Sequence, residues 1–253
     1  MDIVACYKLV PDAQDIRANP GAAPDTSRAQ MVIGDYDLMA LEAAAQLAEQ
    51  TEGRAVLLSI GGKALDDTKL RKAALSRGAE ELFCVIDDEA AAGDAWQTAS
   101  LLAEALKKIP HDAVICGEGS SDQYAQQVGP LLGAILGVPT LNAVSDIQVH
   151  GEGLRAQRTL EDVVETIDVP LPAVLCVTSD INLPRVPQLK DILAAGKKPV
   201  TAWDLTEVGA VPETAVEVLA VECPADTERK HEIYETADAD SIGAVAAALK
   251  AAR

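Results

Sequence analysis

Cys116-Gly117-Glu118-Gly119-Ser120-Ser121-Asp122-Gln123-Tyr124-Ala125-Gln126-Gln127-Val128-Gly129-Pro130 leaves an apolar run that begins at Asp112. It crosses two glycines and a cluster of small polar residues and passes into an amphipathic helical pattern. A strand that opens through Gly and Ser onto a helix start is the building unit of a wound α/β sheet. It also predicts an anion-holding turn, because the first turn of a helix has N–H groups without partners at the positive end of its dipole.

The segments before this stretch repeat the same unit. Residues 2–10 predict a strand, followed by a Pro-, Gly- and Asp-rich loop to about Gly34. Asp37 to Leu47 has apolar residues at helical spacing, with Asp37 placed to cap the helix. Arg54 to Ile60 predicts a second strand, and Gly61-Gly62 turns into a helix ending at Gly78. Glu81 to Ile86 is a third strand, Asp94 to Lys108 a helix, and Asp112 to Cys116 a fourth strand. Strands alternating with helices imply parallel pairing through right-handed crossovers.

Beyond Leu141 the pattern changes. Asn142 to Val149, Leu154 to Leu160, Val163 to Val169 and Ala173 to Thr178 are strand-like, with no room for helices between them. All four are expected to pair antiparallel, as a hairpin extension and edge strands of the same sheet. From Asn182 the alternation stops, and Pro184, Pro187, Pro199, Pro212 and Pro224 break the chain into short apolar pieces. A helical pattern returns at Asp238 to Ala252, which points to an arm packing on another protein rather than a disordered tail. The expected organisation is a doubly wound, mostly parallel Rossmann-like α/β domain over 1–184 and a docking loop with a C-terminal arm over 185–253.

Composition narrows the partners. A net charge of -19 argues against a nucleic-acid duplex or an anionic membrane surface, since phosphate contacts need a field of the opposite sign. No apolar run reaches the roughly 18 residues of a membrane span, and Ile3 to Tyr7 enter a strand pattern at once, so a cytoplasmic location is expected. The five cysteines form no C-x-x-C pair and read as small buried hydrophobes; the three histidines have no ligand spacing, and no metal site is expected.

The opening stretch has the first two glycines of a dinucleotide fingerprint but Asp122 in place of the third, and no Walker lysine follows. From spacing alone it is a nucleotide turn or an ordinary βα loop. Ser59-Ile60-Gly61-Gly62 and Cys6-Tyr7-Lys8 end two other strands, and such ends border the switch-point crevice where ligands bind. The three turns are therefore expected to line one cleft. Asp35-Tyr36-Asp37 offers two carboxylates for acid–base work, but a capped helix start with a solvated acid is the preferred reading. Ser120 and Ser121 have no histidine nearby and no G-x-S-x-G elbow, which argues against a hydrolase triad, and no catalytic residue is assigned. Lys197-Lys198 reads as solvated charge.

Four segments in this order and spacing resemble the β subunit of electron transfer flavoproteins. They are Val4 to Asp12; Gly34 to Ala44; Ser59 to Gly62 with Leu70 to Ala79; and Leu171 to Val174 with Asn182 to Arg185. The wording of Ser120 to Gly129 and of Gly61 to Leu65 is most similar to Fix-type members associated with carnitine reduction in anaerobically growing bacteria. The resemblance implies an α subunit carrying a redox-active FAD, a buried AMP in this subunit, and an acyl-CoA-type dehydrogenase or reductase as electron partner. In an electron-bifurcating alternative, a second FAD replaces the AMP and takes hydride from NADH. The implied nucleotide contacts are Cys6, Gly34, Asp35, Tyr36, Asp37, the turn Ser59-Ile60-Gly61, and Gly117 to Val128, with Tyr36 near the partner's flavin ring. Arg185 to Ala194, centred on Leu189, resembles a loop that docks partner dehydrogenases. Where many members have a run of acidic residues in the nucleotide loop, this chain has Glu118-Gly119 and the single Asp122.

Overall fold

The computed structural model describes residues 1–209, 215–225 and 231–251. Two compact units are distinguished, the first comprising residues 1–17 and 25–219, the second residues 18–24 and 220–253.

The first unit is built on one mixed sheet. In chain order its elements are β1 (Asp2–Cys6), the small hairpin partners β2 (Leu9–Pro11) and β3 (Met31–Ile33), α1 (Asp35–Gln50), β4 (Arg54–Gly61), α2 (Thr68–Leu75), β5 (Glu81–Ile86), α3 (Asp88–Ala91), α4 (Ala95–Leu106) and β6 (Ala113–Gly117). There follow α5 (Val128–Leu136), β7 (Thr140–His150), β8 (Gly153–Thr159), β9 (Val164–Val169), β10 (Ala173–Val177), α6 (Leu189–Ala195), β11 (Val200–Trp203) and α7 (Leu205–Val208). Among the described residues the main sheet has nine strands in the order β11-β5-β4-β1-β6-β10-β7-β8-β9. Every neighbouring pair from β11 to β7 is parallel, and β8 pairs antiparallel with both β7 and β9. The fold is thus the expected doubly wound, mostly parallel α/β sheet.

Strand alternation divides the core between two faces. Ile3, Ala5, Leu57, Ile115 and Leu175 pack under α1 and α2, while Val4, Cys6, Leu58, Cys116 and Cys176 pack under α4 and α5. On α1 the apolar face Ala40, Leu41, Ala44, Leu47 and Ala48 has the i, i+3/i+4, i+7 spacing of a helix lying on a sheet. Gly129 lets α5 approach closely, because a Cβ there would run into the sulfur of Cys176.

Four local expectations change. Ala173–Val177 is not an antiparallel edge strand: it lies between β6 and β7 and is parallel to both. All five of its residues are buried, as a strand covered on both faces requires, and that unbroken apolar run was the signal for it. The helix expected from Gly61 to Gly78 splits into a 3₁₀ turn, Lys63–Asp66, and α2, because Asp67 takes an extended conformation and accepts the N–H groups of Lys69 (2.6 Å) and Leu70 (3.2 Å). The helix after the opening stretch starts only at Val128, so Glu118–Gln127 form a loop, within which the Tyr124 N–H bonded to the Ser120 carbonyl (3.0 Å) closes a single turn. Residues 185–208 are ordered: they contribute α6, β11 paired with β5, and α7 to the first unit.

In the second unit the described structure consists of loop segments and the helix α8 (Ala239–Ala251). The predicted arm includes residues 210–214 and 226–230, and the predicted terminal helix ends at 252; these lie outside the described residues. No helix among the described residues is long and apolar enough to cross a membrane. All five cysteines are free and buried.

Candidate functional site

Parallel pairing puts the carboxyl ends of β1, β4 and β6 side by side, at Cys6, Gly61 and Gly117. They open onto a cavity of about 380 Å³. Its wall brings together the three turns anticipated from sequence: Cys6-Tyr7-Lys8, Ile60-Gly61-Gly62 and the loop after β6. Within that loop Gly117, Glu118, Gly119, Ser120, Asp122, Gln123, Ala125, Gln126, Gln127 and Val128 all line the cavity, as does Asp37.

Gly34, Asp35, Tyr36, Ser59, Ser121 and Tyr124 do not line it. They hold the wall in place. Ser59 is fully buried and donates its hydroxyl to the Tyr7 carbonyl (2.7 Å), locking the exit of β1 against β4. The Gly34 N–H donates to the Lys8 carbonyl (3.0 Å), and the Asp35 N–H to the Ser121 hydroxyl (2.9 Å). Tyr124, with φ of 45°, turns its ring over Gly119 and against Tyr36, at 5.2 Å between centroids. Its hydroxyl donates to Glu118 Oε1 (3.0 Å). The N-terminal turn of α1 thus clips the loop at Ser121 and Tyr124.

Asp37 corrects the sequence reading most sharply. It neither caps α1, whose N-cap is Gly34, nor meets solvent as a neighbouring acid should; only 7% of it is exposed. Its carboxylate accepts the Lys8 N–H (2.8 Å) at the exit of β1 and lies close against Gly117 at the exit of β6. Gly117 is needed there, because a Cβ would meet Tyr36 and the Asp37 carboxylate at 2.8 and 2.9 Å. Burial pushes the Asp37 carboxyl up to about 7; the Lys8 N–H and the Lys8 charge resist the rise, and Asp122 adds to it. Lys8 is also paired with Asp122 (2.6 Å). Burial works against the charge on Asp122, but Lys8 and the Ser120 hydroxyl outweigh it and hold that carboxyl below its usual value.

A second part of the wall was not anticipated. Ala64 and Leu65, Ala90-Ala91-Ala92-Gly93, Asp94, Ala95 and Thr98 extend the cavity past β4 toward the start of α4. The legible signal was the small-residue run in and just after α3, followed by the capping box Asp94-x-x-Gln97. Asp94 also accepts the N–H groups of Ala215 (2.8 Å) and Val216 (2.9 Å). Among the described lining residues the charges are Lys8 against Asp37, Asp94, Glu118 and Asp122. A bound anion therefore has to be held by Lys8 and by backbone N–H groups, chiefly those of the first turn of α5 at Val128 and Gly129.

A family model for the electron transfer flavoprotein domain matches residues 25–208. The chain belongs to the electron transfer flavoprotein family. The matched span runs from β3 through α7 and contains most of this cavity wall, including α1 and the whole loop after β6. An electron-transfer role follows from membership.

The residues assigned to docking lie elsewhere in this electron transfer flavoprotein chain. Leu189 opens α6 and is 73% exposed, next to the exposed Val186 and Leu193. Arg185 is engaged inward, donating to Glu42 (2.7 Å) and Glu49 (2.7 Å) on α1. Lys198, read from sequence as solvated, is partly buried and donates to the carbonyls of Leu75 (2.9 Å), the last residue of α2, and Ala79 (2.6 Å) beyond it.

Proposed function

We propose that the chain is the β subunit of a heterodimeric electron transfer flavoprotein of the Fix-type branch, and that its cavity buries AMP. The observation that carries this reading is the cavity at the joined ends of β1, β4 and β6, inside a chain of this family. Its apolar part, with Ala64, Leu65 and Ala90 to Ala92, suits a purine ring, and its polar part, with Lys8 and the start of α5, suits one phosphate. Two features favour a mononucleotide over a second FAD. A volume of about 380 Å³ is at the low end of the roughly 300–1,000 Å³ of small-molecule sites. Four lining carboxylates against one lysine disfavour two adjacent phosphates.

When bound with an α subunit, FAD supplies the electron chemistry, between an acyl-CoA-type dehydrogenase or reductase and a further acceptor. This chain's own share is structural. Tyr36 and Tyr124 present an aromatic edge beside the cavity, Lys8 and Asp122 fix the loop between them, and Leu189 with Val186 and Leu193 offers an apolar docking face.

The test is the nucleotide content of the purified heterodimer. One FAD and one AMP per dimer are expected; two FAD and no AMP would replace this reading with an NADH-oxidising, bifurcating flavoprotein. Co-purification with a flavin-bearing α chain is expected, and a stable flavin-free monomer would rule the subunit assignment out.

A further inference from the structure

We propose that Asp37 is a positioning residue whose ionised carboxylate holds the exits of β1 and β6 in the nucleotide-retaining shape, so that its protonation releases the nucleotide. The inference rests on the nucleotide reading above.

The geometry singles out this side chain. One carboxylate oxygen takes the Lys8 N–H at the end of β1 and the other lies close against Gly117 at the end of β6, while its own Cα belongs to the first turn of α1. Three elements that form the wall meet at one buried group. An ionised carboxylate only accepts; once protonated, one oxygen becomes a donor and can no longer accept an N–H in the same place. One strand exit must then shift, and the loop that starts at Gly117 shifts with it.

The charges facing Asp37 make it responsive to proton and ligand. Lys8 and Tyr7 approach from the end of β1, Cys116 from β6, and Asp122 from the loop. Lys8 favours the ionised form and Asp122 opposes it, and the two are bound to each other. Burial is the largest influence and places the titration at about pH 7, where an ordinary carboxyl is already fully ionised. A buried acid at a cavity wall, its neighbouring lysine shared with Asp122, is the kind of group found at functional sites.

The experiment measures the affinity of the purified full chain, in the complex in which it is isolated, for AMP between pH 5.5 and 8.5, for the wild type and for Asp37→Asn. If only the ionised form retains AMP, wild-type affinity falls about tenfold per unit below pH 7, in proportion to the competent fraction. The AMP phosphate titrates near pH 6 in both proteins and cancels in their ratio. Between pH 8 and 6 the wild type is therefore expected to lose about tenfold more affinity than the variant, and the variant at pH 8 to bind as weakly as the wild type at low pH. Equal slopes overturn the proposal. Should Asp37→Asn not fold, the wild type decides with adenosine, which has no titrating phosphate: a flat profile through pH 7 overturns the proposal and a tenfold fall supports it. Failure to bind either AMP or FAD at pH 8 is a different result, which removes the nucleotide reading and this inference with it.

Discussion

Helix α1 contains two buried carboxylates five positions apart, and they behave in opposite ways. Asp37, at the cavity end, is met by the Lys8 backbone N–H, and burial lifts its carboxyl to about 7. Glu42, farther along, is equally buried from solvent at 5% exposure, yet its carboxyl stays below its usual value. Burial works against Glu42 too, but the Arg185 side chain and backbone and the Gln46 amide outweigh it. Burial alone therefore does not decide the charge state of a carboxylate; a guanidinium in bidentate contact does. One end of the helix is a cavity wall whose carboxylate has no guanidinium partner, the other a clamp for the chain that leads into the exposed loop.

The largest expected effect comes from neutralising Asp37. Its native value stands about three units above the unfolded value of 3.8, so the folded state holds the proton more tightly. The stability this group contributes is complete below pH 4 and is lost as pH rises to about 7, a change of up to about 4 kcal/mol. Asp37→Asn should lack that slope, gaining on the wild type in urea unfolding as pH goes from 4 to 8. Parallel stability curves for the two proteins would contradict the buried, unpaired charge.

Arg185→Ala tests the other end. It leaves Glu42 buried without its partner, and about 3 kcal/mol of destabilisation is expected, at the low end for a broken buried pair because Arg185 keeps 31% exposure. The Glu42 contribution has the opposite sign to that of Asp37: it is present above the unfolded value near 4.5 and lost as pH falls through the depressed native value. The deficit of the variant should accordingly shrink in acid, and a pH-independent deficit would argue against the ion pair as its cause.

Lys198→Met removes two hydrogen bonds to the carbonyls of Leu75 and Ala79 while keeping the aliphatic stem. A loss of about 1–2 kcal/mol in thermal or urea unfolding is expected, and no loss would return Lys198 to the solvated role read from sequence. The smallest effect on stability belongs to Leu189→Ala, within about 0.5 kcal/mol because the side chain is mostly exposed. Its effect should appear in function: slower electron transfer to a dehydrogenase partner with bound flavin unchanged. Loss of flavin from that variant would refute its assignment to docking.

Much of the fold could be read from periodicity. Strands β1, β4, β5 and β6 and the helices between them are local patterns of two and 3.6 residues, and the cleft follows from placing their ends together. Ala173–Val177 was misplaced because no helix separates it from β9, which suggested a continued meander; its unbroken apolar run, the mark of a strand covered on both faces, was given too little weight. Asp37 was misread for a related reason. An Asp at a helix start is most often a solvated cap, and nothing local announces that Gly117, eighty residues away, will close over it. The wall from Ala90 to Thr98 escaped notice because its capping box announces a helix start but not a cavity, and its alanines and glycine matter only through the space they leave.

What the sequence by itself determined is the set of short-range choices: which segments are strands, where glycines permit close approach, and that the chain is acidic and cysteine-poor in any metal pattern. Those depend on backbone sterics and on side-chain spacing within a few residues. Only the tertiary structure decided which carboxylates are charged, which lysines are buried, and which turns share a cavity. These properties depend on the dielectric and on partners brought in from distant parts of the chain, and Asp37 and Glu42 differ for that reason alone.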